Sequence, residues 1–171
     1  MYYKDFWIVK VKKNGGLLWE KTYGGPYLEQ ADDIVSMESG GYAIIGDQCV
    51  HESNLNSCGW KTKVVVFQID EEGEFLTENI FSGVKFLERI PYYSITTTAS
   101  GGLAWTAEHK NHGTWIHKWG PNEDTVNVYS DGIGGFEINR TSDDGFIIGT
   151  WGGFIIKTDS ELYYESEIDD G

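Results

Sequence analysis

Apolar residues in this chain fall in short consecutive runs more often than in strict alternation. Phe6–Val9, Ala43–Ile45, Val64–Phe67, Ile147–Ile148 and Phe154–Ile156 are apolar on successive residues. A strand wetted on one face alternates apolar and polar positions, so these runs predict strands covered on both faces. Polar, glycine-bearing turns separate them, and helical periodicity is nearly absent. The stretch 28–37 reads as a loop entering a strand.

Two kinds of hairpin alternate along the chain. The first is an apolar strand, a polar turn and a second strand: "FWIVKVKKNGGLLWEKTY", "KVVVFQIDEEGEFLTENIF", "TWIHKWGPNEDTVNVYS" and "FIIKTDSELYYESEI". Lys10, Gln68, Lys118 and Lys157 align these copies at intervals of 58, 50 and 39 residues. The second centres on a glycine turn: "DDIVSMESGGYAIIGD", "YYSITTTASGGLAWTAE" and "FEINRTSDDGFIIGTW", aligned on Gly41, Gly102 and Gly145. Constant anchors with drifting spacing mean loops of different length on a repeated scaffold. Asn14-Gly15 and Gly101-Gly102 permit the positive φ that tight hairpins demand. Asp70–Gly73 and Ser142–Gly145 are expected to do the same with acidic caps.

Sheets stacked face to face as propeller blades explain strands covered on both sides. The expected fold is all-β, with propeller-like four-stranded repeats in about 3.5 blades, forming a single domain over residues 1–171. The alternative is a β-trefoil-like threefold barrel. An incomplete blade leaves a sheet edge to be covered.

The opening "DFWIVKV..NGGLLWEKTYGG" followed by "DDIVSMESGGYAIIG" resembles the repeats of a family of secreted or surface-associated bacterial and archaeal β-propeller-like proteins. The match is close over residues 5–46, weakens through 60–108 and recovers at 141–157. It implies a scaffold for nearly the whole chain and brings no catalytic residues with it.

Composition narrows the partners. There are 22 glycines, 3 prolines and 7 tryptophans, and 13 Lys and Arg stand against 27 Asp and Glu, a net charge of −14. Such a surface repels phosphate backbones and anionic headgroups, so neither nucleic acid nor membrane insertion is expected. The first hairpin is basic and the last acidic, which points to pairing of the terminal hairpins, within or between chains. No apolar segment follows the basic start as a signal peptide requires. The chain as it stands therefore reads as cytoplasmic, and as extracellular if it is a fragment.

Candidate chemistry is sparse. Cys49 and Cys58 bracket a polar loop, and either a local disulfide or two free thiols fits. With His51 they do not complete a zinc pattern, so neither metal nor cofactor is expected. His109 and His112 flank a loop tip and His117 sits on the next strand, and solvated histidines rather than a metal cluster are expected. Paired acids such as Asp32/Asp33 are too common in this chain to mark catalysis, and no nucleophile motif occurs. Trp60, Trp105, Trp115, Trp119 and Trp151 are the candidate binding residues, through sugar stacking or protein contact, with core packing as the competing role. The functional expectation is a non-enzymatic interaction scaffold or binding module. The alternative is a carbohydrate-binding or carbohydrate-active accessory domain, which would show an aromatic-lined concavity with two carboxylates.

Overall fold

A computed structural model describes residues 5–49, 62–81, 93–109, 113–120, 123–129, 134–150 and 153–169. Among these residues the chain is all strand and turn. The strands are β1 (Phe6–Val11), β2 (Leu17–Tyr23), β3 (Leu28–Ser36), β4 (Tyr42–Cys49), β5 (Thr62–Ile69), β6 (Phe75–Phe81) and β7 (Tyr93–Thr97). They continue as β8 (Leu103–His109), β9 (Gly113–Gly120), β10 (Glu123–Tyr129), β11 (Gly135–Arg140), β12 (Phe146–Thr150), β13 (Phe154–Thr158) and β14 (Tyr164–Asp169).

β1 and β2 form a two-stranded sheet, and β3–β6, β7–β10 and β11–β14 form three four-stranded sheets. Every pairing is antiparallel between sequence neighbours. Separate four-stranded meanders suit propeller-like repeats, whereas a trefoil would draw its hairpins into one barrel. The strands fall into two compact units, Met1–Lys85 and Phe86–Gly171.

The turns show why the repeats fold alike. Each of six hairpins closes with the same pair of backbone bonds, as in Gly15 N–H to Lys12 O and Lys12 N–H to Gly16 O. The third turn residue takes a left-handed backbone: Gly15, Gly40, Gly73 and Gly101, but also Asp144 at φ 63° and Leu162 at φ 65°. The expectation that glycine serves this role at Ser142–Gly145 is corrected. Asp144 carries the positive φ, and Gly145 is required for close approach, since a Cβ there would lie 2.1 Å from the Thr158 carbonyl oxygen. The acidic caps are present. Asp70 Oδ1 accepts from the Glu72 and Glu74 amides at 3.0 and 2.7 Å. Asp159 repeats this with Glu161 and Tyr163.

The stretch expected as a loop entering a strand is strand from Leu28 onward, so β3 starts before the Asp32 that opens the hairpin in the sequence pattern, with a bulge between Ala31 and Asp33. Pairing with β4 along its length satisfies the backbone that the polar side chains seemed to disfavour.

In the first unit, Phe6, Ile44, Val65, Phe67 and Ile69 form a core, with Ile8, Trp19, Tyr23 and Tyr42 packed on it. The Phe6 and Tyr23 rings tilt against Phe67 at 5.0 and 5.2 Å. In the second unit the core is Ala104, Ile116, Ile138, Phe146, Ile148, Ile156 and Leu162. The two-sided burial expected for Ala43–Ile45 and Val64–Phe67 is present. For Phe6–Val9, Ile147–Ile148 and Phe154–Ile156 it is not. There one face packs inward, while Trp7, Val9, Ile147 and Ile155 are exposed.

Candidate functional site

Of the tryptophans singled out by sequence, Trp105, Trp115 and Trp119 lie among the described residues. Trp105 is 1% exposed, and its ring lies 5.1 Å from that of His117. It is a core residue, not a stacking platform. Trp115 and Trp119 are half-buried on β9, and Trp60 and Trp151 lie outside the described residues. His117 is on a strand as expected, β9, but it is buried rather than solvated, with Nε2 2.8 Å from Asp124 Oδ1. The His109 side chain, His51 and His112 lie outside the described residues. So does Cys58; Cys49 is a free cysteine buried at the end of β4.

Trp7, which sequence reasoning passed over, is 65% exposed. Alternation along β1 turns Phe6, Ile8 and Lys10 toward the core and leaves Trp7, Val9 and Val11 on the opposite face. Leu17 and Leu18 of β2 are exposed as well. The second unit has a counterpart on β11–β14, where Phe136, Ile147 and Ile155 are exposed and the Phe136 ring lies over Gly149.

A repeated contact joins each sheet to the one after it within both units. Lys10 of β1 donates to the Glu71 carbonyl at 2.8 Å, in the β5–β6 turn. Trp19 Nε1 donates to the same oxygen, and Tyr23 donates to the Gly73 carbonyl at 2.7 Å. In the second unit Lys118 of β9 donates to the Ser160 carbonyl at 2.7 Å, in the β13–β14 turn. Lys10 and Lys118 are aligned repeat positions, and so are Glu71 and Ser160. Lys157 is the next copy, and it turns back onto its own sheet, to Asp143 at 3.0 Å and Glu165 at 2.9 Å. The Thr141 hydroxyl, with that lysine second, holds the Asp143 carboxyl down at about 2. The terminal charge asymmetry seen in the sequence is thus partly consumed inside each unit: Lys10 and Lys21 meet Glu71 and Glu74.

The first unit contains a cavity of about 430 Å³ between the β1–β2 hairpin and the β3–β6 sheet. Phe6, Tyr23, Phe67 and Phe75 wall it, with Glu29 and Glu78 among its polar residues. Glu29 is 2% exposed. Its Oε1 accepts from Gln48 Nε2 at 3.1 Å and the Gly25 amide at 3.3 Å. Its Oε2 is buried and meets no hydrogen-bond donor among the described residues. Burial pushes this carboxyl above its usual range, and the charges of Asp5 and Glu78 add to the shift.

Gln30 and Asp47 pair across the ladder on the face opposite Glu29 and Gln48. The bulge sets Asp32 where it feels the Asp47 charge. Burial, with that charge second, raises Asp32 to about 7, and burial raises Asp47 to about 6. No motif marked Glu29, Asp32 or Asp47, because packing rather than spacing gives them their environment. Among the described residues no three His, Cys, Asp or Glu side chains converge as metal ligands, and no helix is long and apolar enough to cross a membrane.

Among the described residues these features define an all-β protein of repeated antiparallel sheets, with exposed apolar side chains on two of them and an acidic, aromatic-walled cavity in the first unit. No family model matches the chain, and no curated protein resembles it in sequence. Solved structures do resemble it in fold. A Bacteroides caccae protein of unknown function aligns with a TM-score of 0.58 at 10% identity, over 92% of this chain and 52% of that one. BBS1N, solved in complex with ARL6DN and soaked with lead, aligns with a TM-score of 0.57 at 8% identity, over 97% of this chain and 48% of that one. The chain thus spans about half the length of the structures it resembles.

Proposed function

We propose that this chain is a non-enzymatic interaction scaffold that associates sheet to sheet with a second copy of itself. The observation that carries the reading is the outer face of β1–β2, where Trp7, Val9, Val11 and Leu18 are exposed beside Thr22 and Glu20. Several large apolar side chains exposed on one face mark an interaction surface. Its fitting partner is the exposed face of β11–β14, because that contact continues the order of the repeats. Lys157 of one copy would leave Asp143 and reach the Lys13 carbonyl of the next, the position that Glu71 and Ser160 occupy in the internal contacts. The resemblance to propeller-like repeat proteins supports the same reading, as does the presence of a fold neighbour in a complex with another protein.

Sedimentation over a dilution series tests it. The expected result is a species heavier than the 19.3 kDa chain that dissociates on dilution. A monomer at every concentration contradicts it.

Carbohydrate binding is the second reading, favoured by one observation: the cavity combines aromatic walls with Glu29 and Glu78. Against it, Phe6 and Phe67 are buried in the core and offer no open ring face. A thermal-shift screen with oligosaccharides separates the two readings.

A further inference from the structure

The sheet contacts inside each unit follow one charge rule, and the two exposed faces reverse it from opposite sides. Lys10 and Lys118 reach into acidic turns. These are "DEEGE" at 70–74 and "DSELY" at 159–163, superposed by their shared pair of backbone bonds. Glu71 Oε2 lies 4.0 Å from Lys10 Nζ, and Glu161 Oε1 lies 3.7 Å from Lys118 Nζ. The same bonds close "KKNGG" at 12–16 into the β1–β2 turn. Lys12 stands where the other two turns hold Asp70 and Asp159, and Lys13 where they hold Glu71 and Ser160. Both lysines are exposed, and neither forms an ion pair among the described residues.

The opposite reversal marks the β11–β14 sheet. The turn bonds align Asp143 with Ser39 and Ser100. The bulges after Lys10, Gln68 and Lys157 align Glu165 with Leu18 and Leu76. Among these copies only the last carries a carboxylate at either position. Both carboxylates converge on Lys157 Nζ, at 3.0 and 2.9 Å. Its counterparts on Lys10 and Lys118 are the atoms that meet the next turn, so the two acids stand where a receiving turn arrives. Glu20 on the receiving face has the counterparts Glu78 and Glu167, so it does not set that face apart.

We propose that this charge reversal selects the two exposed faces for each other: Asp143 and Glu165 of one copy pair with Lys12 and Lys13 of the next. The inference rests on the sheet-to-sheet reading above and names the residues that choose its partner and register. When Lys157 leaves for the Lys13 carbonyl it frees both carboxylates, and the two ammonium groups of the β1–β2 turn replace the one they lose. A turn of the "DEEGE" or "DSELY" kind would bring its own carboxylates against Asp143 and Glu165, and like charges brought together disfavour that pairing.

Charge exchange in the full chain tests it, read by sedimentation equilibrium at about 0.05 M salt, where exposed charges are weakly screened. Lys12→Glu with Lys13→Glu, and separately Asp143→Lys with Glu165→Lys, should each weaken association about tenfold, because two exposed pairs turn from attraction to repulsion. All four substitutions in one chain restore opposite charges and should recover association to within about threefold of the unsubstituted chain. The Asp143 and Glu165 pair of substitutions also separates local pairing from overall charge. Each copy carries a net charge of −14, so the added lysines reduce the repulsion between whole copies. Weaker association in spite of that supports the proposal. Tighter or unchanged association overturns it, and so does a four-substituted chain that associates no better than the two-substituted ones. If the lysine variant does not fold, Asp143→Ser with Glu165→Leu, the residues of the other copies, gives the reading: about threefold weaker association is expected, and unchanged association overturns the proposal. An unsubstituted chain that stays monomeric overturns the self-association reading and this one with it. Association that ignores every exchange overturns this one alone.

Discussion

Single residues decide how each hairpin closes. Four of the left-handed turn positions hold glycine, but Asp144 and Leu162 hold side chains there, at a local cost of about 1–2 kcal/mol. Asp144 is exposed, while Leu162 is fully buried in the core of the second unit. Replacing each by glycine should therefore act in opposite directions. Asp144→Gly relieves strain and loses no buried surface, and it should stabilise by about 0.5–1 kcal/mol in chemical denaturation. Leu162→Gly relieves the same strain but empties part of a core, and it should destabilise by about 2–4 kcal/mol. Equal and opposite effects are not expected; equal effects of the same sign would contradict the account of the turn.

At the scale of strands and sheets, much was legible and the failures are instructive. The paired hairpin types, the turn positions and the four-strand repeat all follow from spacing, because glycine and aspartate report turn chemistry locally. The start of β3 was not legible: Leu28–Ala31 looks like a loop leading into the hairpin that begins at Asp32, and only pairing with β4 makes it strand. For the same reason Glu29, Asp32 and Asp47 gave no signal, since the burial that changes their chemistry comes from neighbouring strands. Runs such as Phe6–Val9 suggest burial on both faces, but consecutive apolar residues show what a strand can bury and not what covers it. The β3 bulge also yields a pH prediction. Asp32 and Asp47 are held near 7 and 6, above their unfolded values, so the folded chain retains protons that the unfolded chain releases. Their contribution to stability is complete below about pH 4 and is lost as pH rises toward 7. Asp32→Asn should raise the Tm at pH 8 by roughly 2–4 °C, the response to about 1 kcal/mol in a chain of this size. It should leave the Tm at pH 4 unchanged. A lower Tm at pH 8 would mean that the ionised carboxylate is stabilising.

For the molecule as a whole, the central claim is that the two exposed faces are complementary and join copies head to tail. A contact between two different faces behaves unlike a symmetric one, because each copy can supply either half. Val9→Lys spoils the β1–β2 face, and Ile155→Lys spoils the β11–β14 face. Both side chains are exposed, so neither substitution should disturb folding. Each variant alone lacks one half of every contact and should sediment as a monomer. Mixed one to one, the intact β1–β2 face of the Ile155→Lys chain can meet the intact β11–β14 face of the Val9→Lys chain. The decisive measurement is sedimentation velocity of that mixture. The account predicts a dimer that grows no further. A mixture that stays monomeric while the unsubstituted chain associates would contradict it.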